Sequence, residues 1–149
     1  MRYWDTSVLL KLFVEEHDSA FFNALIEEAD AVIHTSELSR LELLRALWGK
    51  RLEGAIRRGA EESLMHRFES EIEKRRIILV PISREIQMQC EVVLKVCYTR
   101  RRPILVRTLD AVHLASALAS KATQIVCSDM RMRTAADALQ MDVYPPRLA

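Results

Sequence analysis

Apolar residues recur along the chain in two rhythms. Short apolar stretches at Arg2 to Trp4, "AVIH" (31–34), "RIILVPI" (76–82), "TQIVCSD" (123–129) and "DVYPP" (142–146) read as strands. A proline suggests the end of the 76–82 strand, and two prolines stop the last one. Between the strands the spacing changes to three and four. It predicts helices over residues 6–16, 19–29, 35–50, 60–75, 83–100, 108–122 and 130–140. Thr35 or Ser36 is the expected N-cap of the third helix and Thr108 that of the sixth; Gly49 and Gly54 punctuate the end of the third. The 60–75 helix is expected to be exposed and amphipathic. The wider segment from Glu53 to Arg75 is expected to form a helical hairpin. Strands that alternate with helices define an α/β class with a mostly parallel sheet.

A length of 149 residues fits one domain over 1–149, with enough chain to bury a core. Half the residues are hydrophobic and only three are glycine, which excludes a disordered or low-complexity chain. Twenty-two basic against twenty-one acidic residues leave a net charge of +1. Nucleic-acid binding, if present, therefore needs a local basic patch. Cys90, Cys97 and Cys127 lack metal-type spacing, and their odd number points to reduced thiols and a cytoplasmic setting. Asp5 and Lys11 interrupt the first apolar stretch, so it does not read as a signal peptide, and no run is long enough to cross a bilayer.

Four acids stand out by position. In open α/β sheets ligands bind at the carboxyl ends of the strands. Asp5 and Asp129 follow predicted strands, and Glu42 and Asp110 fall early in helices that can face the same edge. Each has a plain structural explanation. Asp5 and Asp129 can cap helices. Asp110 can complement a helix dipole, although it shares one narrow polar stripe with His113, Ser116 and Ser120 on a helix otherwise apolar nearly all round. Glu42 sits in an arc with Leu38, Leu41 and Trp48, where it needs a partner: Arg45 at i, i+3, or a cation. His113, one turn from Asp110, reads first as a neutral packing histidine.

Taken together, the acids suggest a single chemistry. Crowded carboxylates repel one another and hold protons unless a cation neutralises them. Oxygen-only donors suit Mg²⁺ or Mn²⁺, ions that polarise a phosphoryl oxygen and activate water. No glycine-rich phosphate loop is present, which disfavours nucleoside triphosphates and dinucleotides and leaves a phosphodiester as the natural substrate.

The stretches "YWDTSVLLKLF", "SELSRLELLRAL", "LVRTLDAVHLASAL" and "QIVCSDMRMRTAADALQMDVYPP" resemble, in order and spacing, the four motif regions of PIN-domain proteins. Among these the chain is most similar to the VapC toxins of VapBC toxin–antitoxin modules. The resemblance implies a three-layer PIN-like fold, with a central mostly parallel sheet flanked by helices. It implies a metal-dependent endoribonuclease whose Mg²⁺ or Mn²⁺ is held by Asp5, Glu42, Asp110 and Asp129, with Ser7 and Ser128 supporting these acids through hydrogen bonds. The fourth motif often carries a Thr where this chain has Cys127, a weaker hydrogen-bond partner.

The resemblance also implies a cognate VapB-type antitoxin and a homodimer. The apolar face of the 53–75 segment either receives a helix of that antitoxin or only completes the core. Arg107, Arg131 and Arg133 are candidate RNA contacts, and "TRRRP" (99–103) supplies further positive charge. The competing readings are a non-catalytic module that binds RNA or protein, and a DNA-directed nuclease of the same type.

Overall fold

The computed structural model describes residues 1–29 and 32–146. Five strands form one all-parallel sheet: β1 (Arg2–Trp4), β2 (Ile33–Ser36), β3 (Ile77–Val80), β4 (Gln124–Val126) and β5 (Asp142–Tyr144). Their order is β3-β2-β1-β4-β5. The chain winds outward from β1 to β2 and β3, then returns to the other side of β1 for β4 and β5. The strand order therefore reverses at β1, where a parallel sheet opens a crevice at its carboxyl edge.

Side chains alternate across the strands and build two cores. Tyr3, Ile125 and Cys127 point to one face, which is covered by α5 (Arg84–Tyr98), α6 (Thr108–Ala119) and α7 (Met130–Ala138). Trp4, Ile33, Ile77 and Val126 point to the other, beneath α1 (Thr6–Leu10), α2 (Ser19–Ala29), α3 (Leu38–Leu52) and α4 (Ala60–Glu73). The result is the three-layer α/β architecture. Leu43, Leu47 and Leu114 are fully buried, and each such side chain contributes about 1.5–3 kcal/mol of transfer free energy. Among the described residues, no helix is long and apolar enough to cross a membrane.

Several element boundaries differ from the sequence-based expectation. The first helix ends at Leu10, because Lys11 turns inward to pair with Glu16 and Asp18. Strand β2 extends to Ser36, so Thr35 and Ser36 belong to the sheet, and Glu37 occupies the N-cap of α3. Ala31, expected in that strand, lies outside the described residues. Arg107 is the N-cap of α6, and Thr108 is its first helical residue. The fourth strand stops at Val126, which leaves Cys127 to Asp129 as a turn into α7.

The surface of α3 also departs from expectation. Ser39, Leu43 and Leu47 form its inner row, while Leu41 and Trp48 are exposed. The arc around Glu42 is thus not a buried apolar face. The 53–75 segment contributes one helix, α4, which pairs with α3; Met65 and Phe68 enter the core, and Glu62, His66 and Arg67 stay exposed. A left-handed Gly59 (φ 87°) starts α4, a conformation that glycine adopts without a side-chain clash.

Candidate active site

Strand β1 delivers Asp5 to the carboxyl edge of the sheet. The Asp5 amide donates to the Val126 carbonyl at 3.0 Å, tying this residue to the end of β4. Its carboxylate caps α1: Oδ2 accepts from the Ser7 amide at 3.3 Å and from the Ser7 hydroxyl. Asp129 repeats this arrangement after β4, where its Oδ1 accepts from the Met132 amide at 2.9 Å and caps α7. Both acids therefore cap helices and also stand at the sheet edge. The Ser128 hydroxyl lies 3.4 Å from that of Ser7.

Glu42 and His113 meet from opposite sides of the sheet edge. His113 Nε2 is 2.7 Å from Glu42 Oε2, and its Nδ1 is 2.7 Å from the Tyr3 hydroxyl. His113 is 1% exposed and packs edge-on against Tyr3. Burial works to depress its pKa. The hydrogen bond to Glu42 and the negative charge of Asp5 outweigh burial and hold it above the ordinary histidine value. Correspondingly, burial pushes Glu42 up, but the His113 contact prevails and holds it below the usual carboxylate range. His113 is thus a buried packing residue with a polar partner at each ring nitrogen, and its raised pKa departs from the neutral ring expected from sequence. Arg45, considered from the sequence as the partner of Glu42, makes no ion pair with it; His113 takes that place.

A buried hydroxyl chain continues the network. Thr6 Oγ1 donates to Glu42 Oε2 at 2.5 Å and lies 2.9 Å from Ser39 Oγ. Ser39 Oγ is 2.6 Å from Thr35 Oγ1, which donates to the Trp4 carbonyl at 2.7 Å. Carboxylates and carbonyls only accept, so the Thr6 and Thr35 protons are committed at the two ends and Ser39 donates between them. The site is thereby fixed to the backbone of the central strand. Sequence reasoning overlooked Tyr3, Thr6, Thr35 and Ser39; the available signal was a set of hydroxyls at positions flanked by apolar core residues.

Asp110 opens α6 one turn before His113. Arg107 grips it with both arms: Nε to Oδ2 at 2.8 Å and Nη2 to Oδ1 at 3.2 Å. Asp5 itself is buried. That burial, together with the charge of Glu42, holds its carboxyl above the ordinary value against the opposing pull of His113 and Ser7.

All four acids line one cavity of about 280 Å³, together with Thr6, Ser7, Arg45, Arg107 and Met132. A neighbouring groove of about 700 Å³ shares Glu42, Arg45, Arg107 and Asp110 with it, and is walled by Leu38, Leu41 and Leu109. Another cleft of about 650 Å³, lined by Phe13, Ile26, Ile33 and Arg67 among others, lies away from these acids. Carboxylate geometry rather than size singles out the site.

The structure places the basic candidates differently from one another. Arg107 lines the cavity. Arg133 donates to the carbonyls of Cys127 and Pro145, holding the β4–α7 turn against the end of β5. Arg131 is exposed on α7, and Arg100 to Arg102 border a separate cleft with Thr134 and Asp137. Cys127 is fully buried, and its thiol is pushed up to about 12, chiefly by burial, with the nearby charge of Asp5 adding to it.

The acids are not gathered into an ion cage. Among the described residues, no group of three or more His, Cys, Asp or Glu side chains stands close enough to hold a metal ion, contrary to the cluster expected from sequence. Arg107 grips Asp110 through both oxygens, and His113 engages Glu42. The donor chemistry nonetheless fits a divalent cation. Among the described residues, Asp5 Oδ1, Glu42 Oε1 and Asp129 Oδ2 accept no hydrogen bond, and Asp110 is held only by a side chain that is itself 65% exposed.

Compared with known protein families, residues 2–138 match the model of the PIN domain. No match was found among curated proteins.

Proposed function

Because the chain belongs to the PIN-domain family, whose members are typically nucleases, we propose that it is a metal-dependent endoribonuclease. One observation carries this reading. Four carboxylates from four separate segments, at residues 5, 42, 110 and 129, line a single cavity at the switch point of the sheet. Asp5, Glu42, Asp110 and Asp129 would hold Mg²⁺ or Mn²⁺. The ion supplies Lewis acidity at a phosphoryl oxygen and activation of the attacking water.

The protein's own groups position and bind. Ser7 fixes Asp5, the Met132 amide fixes Asp129, and His113 with Thr6 fixes Glu42. Arg45 and Arg107 at the cavity would meet non-bridging phosphate oxygens, with the exposed Arg131 as a further contact. The motif resemblance to VapC proteins supports a role as the toxin of a toxin–antitoxin module, restrained by a VapB-type antitoxin and acting as a homodimer.

The test is cleavage of a labelled RNA by the purified protein with Mg²⁺, with EDTA, and with Asp5→Asn in place of the native chain. Cutting that requires Mg²⁺ and vanishes in the variant is expected. Equal cutting in all three overturns the proposal. Preference for a DNA strand of the same sequence would reassign the substrate. A second reading, a non-catalytic binding module, is favoured by the ion pair that already satisfies Asp110. Calorimetric silence at millimolar Mn²⁺ together with retained RNA binding would select it.

A further inference from the structure

Two side chains, His113 and Arg107, engage acids of the cavity, and they differ in one decisive respect. His113 is 1% exposed and wedged between Tyr3 and Glu42, so it cannot leave without unpacking the core. The Arg107 side chain is 65% exposed, against 10% for Asp110. Arg107 also sits at the N-cap of α6 with extended backbone (φ −77°, ψ 158°) and makes no capping bond through its side chain. Nothing but Asp110 holds its guanidinium among the described residues. One partner is thus built in, and the other is removable.

From this asymmetry, and resting on the nuclease reading above, we infer that Arg107 is an internal stand-in for the divalent cation: it holds Asp110 until metal arrives, then swings to the substrate phosphate. The geometry sets the two cations against each other. Both Asp110 oxygens accept from Arg107, so a metal ion and the guanidinium compete for the same carboxylate. Once released, Arg107 remains at the rim shared by the acidic cavity and the neighbouring groove. A phosphate there competes with Asp110 for the guanidinium, just as metal competes with the guanidinium for Asp110. Metal and phosphate therefore break the same pair from opposite ends, and each raises the affinity for the other.

The test is Mn²⁺ binding, followed by electron paramagnetic resonance, to the native chain, Arg107→Gln and Arg45→Gln. Both variants remove one exposed positive charge from the same cavity, but Arg45 pairs with none of the acids among the described residues. Arg107→Gln is expected to bind Mn²⁺ about two- to fivefold more tightly, the range set by losing a competing exposed ion pair. Arg45→Gln should shift affinity distinctly less. Equal tightening by both variants, or none by Arg107→Gln, overturns the inference while leaving the nuclease reading intact. Absence of Mn²⁺ binding by all three proteins removes the metal-dependent reading and this inference with it. A second readout is the Arg107 Nε–H resonance, which should move on addition of Mg²⁺ to the native chain and stay still in Asp110→Asn.

Discussion

His113 Nε2 and Glu42 Oε2 lie 2.7 Å apart although 71 residues separate them in the chain. One residue comes from α6 and the other from α3, so this contact joins the two helices that flank the carboxyl edge of β1. It also sets which oxygen of Glu42 remains open to the cavity.

Replacing His113 by Ala should release Glu42. We expect Mg²⁺-dependent cleavage to fall about 10- to 100-fold, the usual effect of losing a group that orients a ligand. Gln, which keeps a donor, should restore part of it. Unfolding should cost about 1–3 kcal/mol less, since a buried carboxylate partner is left unmet. His113 is held above its ordinary value, so the stability from its charged form is complete below the unfolded value of 6.5. It is lost as pH rises through the folded value, and denaturant melts across pH 6–9 would show this decline.

Asp5→Asn should separate stability from activity. Burial holds the Asp5 carboxyl above its unfolded value of 3.8, so the ionised acid destabilises the fold. That penalty is absent below about pH 4 and complete above the raised folded value. Asn still caps α1. In EDTA at pH 7.5 the variant should melt at a higher temperature than the native chain. Its advantage should disappear near pH 4, and it should cleave nothing.

The Ser7 hydroxyl donates to Asp5 without being part of the core. Ser7→Ala should leave the melting temperature within about 2 °C and reduce cleavage about 10-fold. Full activity in this variant would show that the backbone amide of residue 7 suffices to orient Asp5.

Lys11 holds the end of α1 by pairing with Glu16 at 2.9 Å and Asp18 at 2.7 Å, while Lys50 reaches Glu16 from α3. Burial pushes both carboxyls up, but their lysine partners prevail and hold them low. Their contribution is therefore present above about pH 4.5 and lost as pH falls through the depressed values. Lys11→Met should destabilise by about 1–3 kcal/mol at pH 7, with a smaller difference at pH 3, as chemical denaturation would measure.

Much of this architecture is written locally. The run around Ile77–Val80 is apolar enough to declare a strand, and the acids after β1 and β4 mark the sheet edge by position alone. Features set by distant partners were not legible. The apolar spacing continues through Leu12 and Phe13, but α1 stops because Lys11 finds acids beyond it. Thr35 has the chemistry of a cap, yet its hydroxyl bonds to the Trp4 carbonyl in the adjacent strand. The i, i+3 ion pair weighed for Glu42 and Arg45 is absent, Glu42 meeting His113 from another helix, while that spacing does hold an ion pair between Arg107 and Asp110. His113 itself looked like a packing residue because its partner comes from another helix.

The strand order has a consequence in time. Strand β1 precedes the other four strands in the chain but sits in the middle of the sheet, and its second neighbour, β4, comes only after β2, β3, α5 and α6. Asp5 thus waits until β4 has been made before Asp129 can join it. A nascent polypeptide that has not yet reached β4 lacks one of the four acids, so they share one cavity only after β4 has emerged and docked.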